Sequence, residues 1–158
     1  MEQDQKQAVI QKIQELRGLR IFSVLTDRDI FEVMKRSDII SVPEGSTVFT
    51  EGDEDQALYV IIKGEFEVTA RSPVSGELIR FSCAGQGLVF GEMAFLDRQP
   101  RSATITATED SEVFGFTRED YEDLLAASPA TAARFMMGVA EILSRRLRGV
   151  DQRIKHST

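Results

Sequence analysis

Cysteine and histidine are nearly absent from this chain of 158 residues, which has one of each, Cys83 and His156. A single cysteine cannot form an intramolecular disulfide, so a reducing, cytoplasmic compartment is expected. No charged-then-apolar leader precedes the first helical pattern, and no apolar run approaches the roughly 20 residues that span a bilayer. We therefore expect a cytoplasmic chain that does not insert into a membrane.

The same scarcity argues against catalysis. Metal-dependent enzymes on cupin-like jelly rolls usually bind their metal with several histidines, whereas His156 stands alone near the C-terminus, where an exposed tail is expected. Cys83 shares a strand face with Ile79 and Phe81, which predicts a small, buried apolar residue. No nucleophile–base pair is evident. We expect no catalytic residue, no metal and no catalytic cofactor.

Positive charge is scarce as well, since the formal net charge is −7. Surfaces that bind nucleic acid collect positive charge to replace phosphate counterions, so we expect no direct nucleic-acid binding by this chain. Basic residues are concentrated in residues 134–155. That segment could meet DNA, an acidic partner or the body of the domain itself, and a solvated helix face is its plainest interpretation.

The chain does contain three regions of different periodicity. Residues 1–37 show helical spacing, with Thr26 and Asp29 offering a capping box. Residues 38–117 form short alternating runs separated by glycine and proline, which is typical of antiparallel strands. Helical spacing returns in residues 118–158. We expect residues 19–150 to form one integrated domain.

The predicted fold is mainly β with flanking α-helices. Seven or eight short strands predict an antiparallel β-barrel or jelly roll. The strand candidates are Ile39–Val42, Thr47–Phe49, Leu58–Ile62, Glu65–Arg71, Glu77–Cys83, Ser102–Thr108 and Glu112–Phe116.

A long C-terminal helix is predicted from Ser128 and Pro129 to about Ile154. An apolar stripe runs along it, through Met136, Val139, Leu143, Leu147, Val150 and Ile154. A helix longer than its domain needs another surface to bury such a stripe, which favours a homodimer through this helix. The alternative is that the stripe packs back on the barrel.

Arg101 alternates with Ala103, Ile105 and Ala107, which predicts an arginine on the interior face of a strand. A buried guanidinium requires an anion and good hydrogen bonds, because losing its hydration costs several kcal/mol. The anion could be a structural carboxylate or a ligand. Nearby, residues 91–96 predict one short helical turn entered at Gly91, whose free N–H groups could bind a small anion.

Glu92 is out of place beside an anion unless it accepts a hydrogen bond from a hydroxyl, such as a ribose 2′-OH. An anion site beside a sugar-hydroxyl acceptor suggests a ribonucleotide. Val89, Met93 and Phe95 could line such a pocket or anchor the turn.

Residues 90–104 resemble the phosphate-binding cassette of the cyclic-nucleotide-binding domain family, which includes the catabolite activator protein and the regulatory subunits of protein kinase A. The resemblance covers about residues 19–150. It rests on Gly91, Glu92, Ala94, Leu96, Arg101, Ser102 and Ala103, and on the glycine turns Pro43-Glu44-Gly45, Glu51-Gly52-Asp53 and Ile62-Lys63-Gly64.

The resemblance implies how a ligand would be held. Glu92 would bind the ribose 2′-OH, and Arg101 with the region of Ser102 and Ala103 would bind the cyclic phosphate. Backbone amides around Met93, Ala94 and Phe95 would bind the other phosphate oxygens. Val150, Asp151 and Gln152 lie where related domains cover the base. Cyclic AMP is favoured over cyclic GMP, although Ser102 permits either.

We therefore expect a cyclic-nucleotide sensor module in which the ligand orders residues 91–96 and repositions the helices after Thr117, signalling to an effector. One alternative is a DNA-binding regulator of the catabolite activator type that ends before its helix-turn-helix, which would need about 60 further residues. Another is a docking or dimerisation domain that has lost its ligand.

Overall fold

The computed structural model of the protein describes residues 1–157 and contains five α-helices and eight β-strands over that range. Thr158, the last residue of the predicted C-terminal region, lies outside the described residues. The helices are α1 (Glu2–Arg17), α2 (Asp27–Met34), α3 (Glu92–Asp97), α4 (Arg118–Ala127) and α5 (Pro129–Ser157), with a 3₁₀ turn at Arg20–Phe22. The strands are β1 (Asp38–Val42), β2 (Thr47–Phe49), β3 (Leu58–Lys63), β4 (Phe66–Arg71), β5 (Leu78–Ala84), β6 (Val89–Phe90), β7 (Thr104–Ala107) and β8 (Ser111–Phe116).

The strands form two antiparallel sheets, in the orders β1-β8-β3-β6 and β2-β7-β4-β5. Apolar residues of both sheets, including Phe49, Phe66 and Phe90, share one buried cluster between them. The prediction of a mainly β jelly roll with N-terminal helices and a long C-terminal helix is confirmed, although the sheets form a sandwich and not a closed barrel. The sequence patterns missed β6, because two residues are too few to show a period.

The central strands of the first sheet, β3 and β8, are buried on both faces. The outer face of this sheet contributes Leu58, Val60 and Phe114 to a second cluster, in which they meet side chains of the helices. A strand covered on both sides should read as a continuous apolar run, which explains the run from Leu58 to Ile62. The helices at both ends of the chain therefore lie on the same sheet.

Cys83 corrects one expectation from the sequence, because it is exposed and not buried. It lies on β5, the edge strand of the second sheet, opposite Glu67 of β4. Phe81 and Ile79 are also 60% and 42% exposed, so β5 has no cover comparable to that of β3. Alternation alone could not show which sheet the helices cover.

The apolar stripe of α5 has two different environments. Val139 is buried, and Met136 and Leu143 pack against the same core. Beyond them, Leu147, Val150 and Ile154 are 66%, 46% and 60% exposed. The first half of the stripe therefore packs back on the domain, as the alternative interpretation held, while the second half extends beyond it.

A buried carboxylate ties the N-terminal helices to α5. Thr26 and Asp29 form the predicted capping box of α2. The Asp29 carboxylate also accepts hydrogen bonds from Thr131 Oγ1 at 2.5 Å, and from Arg134 Nε at 2.7 Å and Nη2 at 2.8 Å. Asp29 is 2% exposed, and its hydrogen bonds from Arg134 hold the pKa of its carboxyl well below the usual range. This tie fixes the start of α5 relative to the domain.

Replacing Asp29 by asparagine should weaken this tie. We expect Asp29→Asn to lower the free energy of unfolding at pH 7 by about 1.5–3 kcal/mol, because it removes the charge of a buried carboxylate that accepts hydrogen bonds from the partly exposed Arg134. Folding lowers the pKa of Asp29, so its stabilisation is complete above the unfolded pKa of about 3.9 and is lost as the pH falls below it. In urea titrations, the difference between wild type and variant should therefore shrink below about pH 4.

Asp27→Asn is the matched control, because Asp27 lies in the same helical turn but pairs with Arg17 at the surface. An exposed pair contributes about 0–1 kcal/mol, so this variant should stay near wild type. Equal losses in the two variants would contradict the role of Asp29.

A candidate ligand cavity around α3

The candidate site is built around the entry into α3. Gly91 has φ 79°, in the left-handed region, and places Glu92 at the first position of the helix. A Cβ at Gly91 would lie 2.4 Å from Arg101 Nη1 and 2.8 Å from the Ala57 carbonyl oxygen. The position therefore requires glycine for its backbone angle and for the close approach of Arg101.

Arg101 is 3% exposed, but it precedes β7 and is not part of a strand. Its backbone pairs with a turn: the Arg101 N–H donates to the Asp53 carbonyl at 2.8 Å, and the Gly52 N–H donates to the Arg101 carbonyl at 2.8 Å. The predicted strand start at Ser102 is thus too early by two residues, since β7 begins at Thr104. The inward direction of the side chain agrees with the sequence pattern.

The Arg101 guanidinium has a dense set of partners. Its Nε donates to Asp55 Oδ2 at 3.1 Å, and its Nη2 also pairs with Asp55. The carbonyl oxygens of Gly91 and Ala57 accept from Nη1 at 3.0 Å and from Nη2 at 2.5 Å. The guanidinium carbon lies 4.0 Å from the centre of the Phe49 ring. A structural carboxylate was one of the two anions expected for Arg101, and Asp55 is such a partner.

Arg101 is more deeply buried than its partner Asp55 and keeps one N–H that none of the described hydrogen bonds uses. Its side chain is 42% exposed, while that of Arg101 is 1% exposed. A guanidinium carries five N–H donors, and the four hydrogen bonds described within residues 1–157 use four of them. The second N–H of Nη1 therefore has no acceptor among those bonds. Asp55 was missed from the sequence, although the acidic run Glu51–Asp55 beside a glycine turn was a usable signal.

A cavity of about 500 Å³ opens beside Arg101 and α3. This volume lies within the range of small-molecule sites. Of the predicted site residues, Gly91, Glu92, Met93, Ala94, Arg101, Ser102 and Ala103 line this α3 cavity. Its apolar wall includes Val68, Leu88, Val89 and Ile105.

Phe95 is a predicted site residue that lies outside the cavity lining. Its ring packs edge-on against Tyr121 of α4, with centroids 5.9 Å apart. Arg118 Nη1 of α4 donates to the carbonyl oxygens of Phe95 at 3.1 Å and Leu96 at 3.3 Å. These contacts connect the C-terminal end of α3 with the helices that follow the sandwich.

Glu92 also lines the cavity and is 5% exposed. Its carboxylate pairs with Arg146 Nη1 of α5, and Arg146 Nη2 donates to the Val89 carbonyl oxygen. Burial raises the pKa of the Glu92 carboxyl, while the charge of Arg146 opposes that shift. Arg146 also lines the cavity.

Arg146 was not among the residues predicted for the site. The residues suggested to cover the base, Val150, Asp151 and Gln152, are exposed and do not line the cavity. The available signal was helical phase: Arg146 follows Val139 by seven positions and so continues the apolar stripe toward the domain.

No group of three or more His, Cys, Asp or Glu side chains within residues 1–157 is arranged to hold a metal ion. Over the same range, no helix combines the length and apolar character required to cross a membrane.

Together, the fold and the cavity define a jelly-roll domain whose cavity is lined by a buried guanidinium and a buried carboxylate. A family model described as Cyclic nucleotide-binding domain matches residues 39–128. The chain belongs to the cyclic nucleotide-binding domain family.

Similar proteins include receptors and regulatory subunits. The Cyclic AMP receptor protein of Thermus thermophilus is 32% identical over 136 residues, which is 86% of this chain and 61% of that protein. The crystal structure of the Thermus thermophilus catabolite activator protein matches with a TM-score of 0.74 at 31% identity, covering 86% of this chain and 62% of that one. A cAMP-dependent protein kinase regulatory subunit from Aspergillus niger is 32% identical over 110 residues, 70% of this chain and 26% of that protein. The chain thus spans about three fifths or less of these relatives.

Gly91→Ala tests the close approach of Arg101. We expect a loss of about 3 kcal/mol in the free energy of unfolding, because about 1–2 kcal/mol of backbone strain adds to a clash with Arg101 and Ala57. Gly76 is a matched control: its φ is 74°, but nothing lies within 4 Å of its Cβ position. In chemical denaturation, Gly76→Ala should lose only the part of the free energy of unfolding that comes from backbone strain. Equal losses in the two variants would contradict the crowding at Gly91.

Proposed function

We propose that this chain is a cyclic-nucleotide-binding regulatory module that senses cyclic AMP and transmits its binding through the C-terminal helices. The observation that supports this most is the presence of Arg101 and Glu92, both at most 5% exposed, in the lining of one cavity. Buried charges of opposite sign facing one cavity suit a ligand with an anionic group and a hydroxyl donor. A cyclic ribonucleotide has both.

The phosphate would bind at Arg101. The remaining N–H of Nη1 can donate to a phosphate oxygen, and Asp55, which is partly in water, can share the guanidinium or turn outward. The family resemblance implies which groups would complete the phosphate-binding site. They are the backbone amides around Met93, Ala94 and Phe95 and the region of Ser102 and Ala103.

The charge of the ligand should matter as much as its shape. Asp55 pairs with Arg101, and Glu92 lines the same cavity as Arg101, so a phosphate bound at Arg101 would lie near both carboxylates. A cyclic phosphodiester carries one negative charge, whereas an open monophosphate carries about −1.5 to −2 at pH 7. The additional charge would be repelled by both carboxylates, so we expect the cavity to prefer the cyclic form. Cyclic AMP is the favoured ligand because the relatives described above are named for it, and cyclic GMP is the second candidate.

Binding would reach the effector through α3 and α4. Phe95 and the carbonyls held by Arg118 move with α3, so a ligand that orders α3 also biases α4. A coupling free energy of about 1–3 kcal/mol is typical for such a link. The chain would act as a binding protein and not as an enzyme, and we place it in the cytoplasm, where a lone exposed thiol such as Cys83 stays reduced.

A homodimer through the distal part of α5 is the second element of the proposal. Leu147, Val150 and Ile154 keep the helical spacing of the stripe and expose 66%, 46% and 60% of their surface. The same part of a second copy offers a complementary apolar surface for a short coiled coil.

Titration calorimetry with cyclic AMP, cyclic GMP and 5′-AMP tests the ligand. We expect cyclic AMP to bind most tightly and 5′-AMP most weakly. Arg101→Gln and Glu92→Gln should each weaken cyclic AMP binding by about 1–3 kcal/mol, the usual value of a hydrogen bond to a charged group. Circular dichroism should show that both variants remain folded.

Arg28→Gln is the control, because Arg28 is an exposed residue outside the cavity lining. Its affinity for cyclic AMP should equal that of wild type. Equal affinity for the three nucleotides would contradict the proposed site, and no binding of any would favour a docking domain without a ligand.

Analytical ultracentrifugation tests the dimer. Leu147→Glu combined with Ile154→Glu should raise the dimer dissociation constant at least about tenfold, because burying the new charges at the interface is unfavourable. Val74→Glu makes the same type of change at a side chain that is 96% exposed, and it should leave the constant unchanged. A wild-type chain that sediments as a monomer at every concentration would overturn the proposed dimer.

A further inference from the structure

The helix α3 is short for the part it has in the cavity. It has six residues, and those that line the α3 cavity are Glu92, Met93, Ala94 and Asp97. Isolated helices shorter than about 12–15 residues are marginal in water, so six residues do not keep a helical form without help from their surroundings. The shape of this part of the cavity therefore depends on contacts that stabilise α3 from outside.

The C-terminal end of α3 is capped by a residue of another helix. The last four carbonyl groups of an α-helix have no partner inside that helix. In α3, the Ala94 carbonyl accepts a hydrogen bond from the Arg98 N–H at 2.9 Å. The next two carbonyls, of Phe95 and Leu96, accept from Arg118 Nη1 at 3.1 Å and 3.3 Å. A positive charge at this end of a helix also stabilises the helix through its dipole.

Arg118 is the first residue of α4, but its side chain bonds to α3 and not to its own helix. Glu122 lies one turn further along α4, and its Oε1 is 3.7 Å from Arg118 Nε, which is too far for a hydrogen bond. Within residues 1–157, Nε has no hydrogen-bond acceptor. Arg118 is also absent from the cavity lining. Any effect of Arg118 on a ligand in the cavity must therefore act through α3.

We propose that Arg118 is a positioning residue for the ligand, because it caps α3 from α4 and keeps the cavity-lining part of α3 helical. This inference rests on the proposed function, since the ligand is the cyclic nucleotide proposed there. Arg118 raises the affinity of the cavity without contacting the nucleotide. Coupling between two sites is reciprocal, so a nucleotide that stabilises α3 also stabilises the first turn of α4 through Arg118.

Titration calorimetry with cyclic AMP tests this role in wild type, Arg118→Met and Arg118→Lys. If α3 without its cap is helical about a tenth of the time, the apparent affinity falls about tenfold, and we expect that loss for Arg118→Met. Arg118→Lys should stay within about threefold of wild type, because a single nitrogen makes both bonds to α3 and an ammonium group can supply it. Arg118→Gln serves if circular dichroism shows that the methionine variant does not fold.

Arg98→Met is the matched control. It removes a positive charge from the same end of α3, but the Arg98 side chain is 56% exposed and pairs with Glu122 at 3.5 Å. The backbone cap at residue 98 does not depend on that side chain. Because exposed ion pairs contribute little, the affinity of Arg98→Met for cyclic AMP should stay within about twofold of wild type.

Amide hydrogen exchange gives a second readout that a general loss of stability would not produce. The amides of Phe95 and Arg98 donate to carbonyls of residues 91 and 94. With no nucleotide added, these two amides should exchange faster in Arg118→Met than in wild type, while the core strands stay unchanged. In wild type, cyclic AMP should slow exchange at Asp120 and Tyr121, whose amides bond to Thr117 in the first turn of α4. Arg118→Met should lack this slowing.

The outcomes separate this role from the proposed function. Unchanged affinity of Arg118→Met, or equal losses in Arg118→Met and Arg118→Lys, would overturn the role of Arg118 and leave a cyclic-nucleotide module. An equal loss in Arg98→Met would also overturn it, because any positive charge near this end of α3 would then suffice. Absence of cyclic-nucleotide binding by wild type would overturn the proposed function, and the positioning role with it.

Discussion

The buried guanidinium of Arg101 is the interaction on which the architecture of the cavity depends. It joins the turn before β3, the entry into α3 and the Phe49 ring of the second sheet. A charge that is 1% exposed cannot keep its hydration, so its neighbours must supply acceptors. Arg101 occupies the space that a side chain at position 91 would need, so glycine is required there. The Ala57 carbonyl oxygen accepts a hydrogen bond from the same guanidinium. Arg101, which lines the cavity, therefore holds these separate segments together.

Two pairs of opposite charge include the buried charged residues that line the cavity. Arg101 with Asp55 and Arg146 with Glu92 balance one another, and each pair joins a buried partner to a more exposed one. Such pairs contribute little net stability when intact, since Coulomb attraction roughly offsets desolvation.

Local patterns were sufficient for much of this structure. Alternation and turn glycines predicted the strands, the pair Thr26 and Asp29 predicted the start of α2, and Gly91 predicted the left-handed entry into α3. The inward direction of Arg101 was predicted correctly, because its alternation with Ile105 extends to residues before the start of β7.

The contacts made across the fold could not be read in the same way. Asp55 lies 46 positions before Arg101, and Arg146 lies 54 positions after Glu92, so no local period relates either pair. The exposure of Cys83 depended on which sheet the helices cover, which is a property of the assembled fold. Contact between the basic C-terminal segment and the body of the domain was one of the possibilities open from the sequence, and Arg146 makes one such contact.

A crystal structure of the chain with cyclic AMP tests the central claim most directly. The account predicts a phosphate oxygen about 3 Å from the Arg101 guanidinium and the 2′-oxygen at a similar distance from the Glu92 carboxylate. A nucleotide bound outside the α3 cavity, or one inside it whose phosphate makes no contact with Arg101, would contradict it.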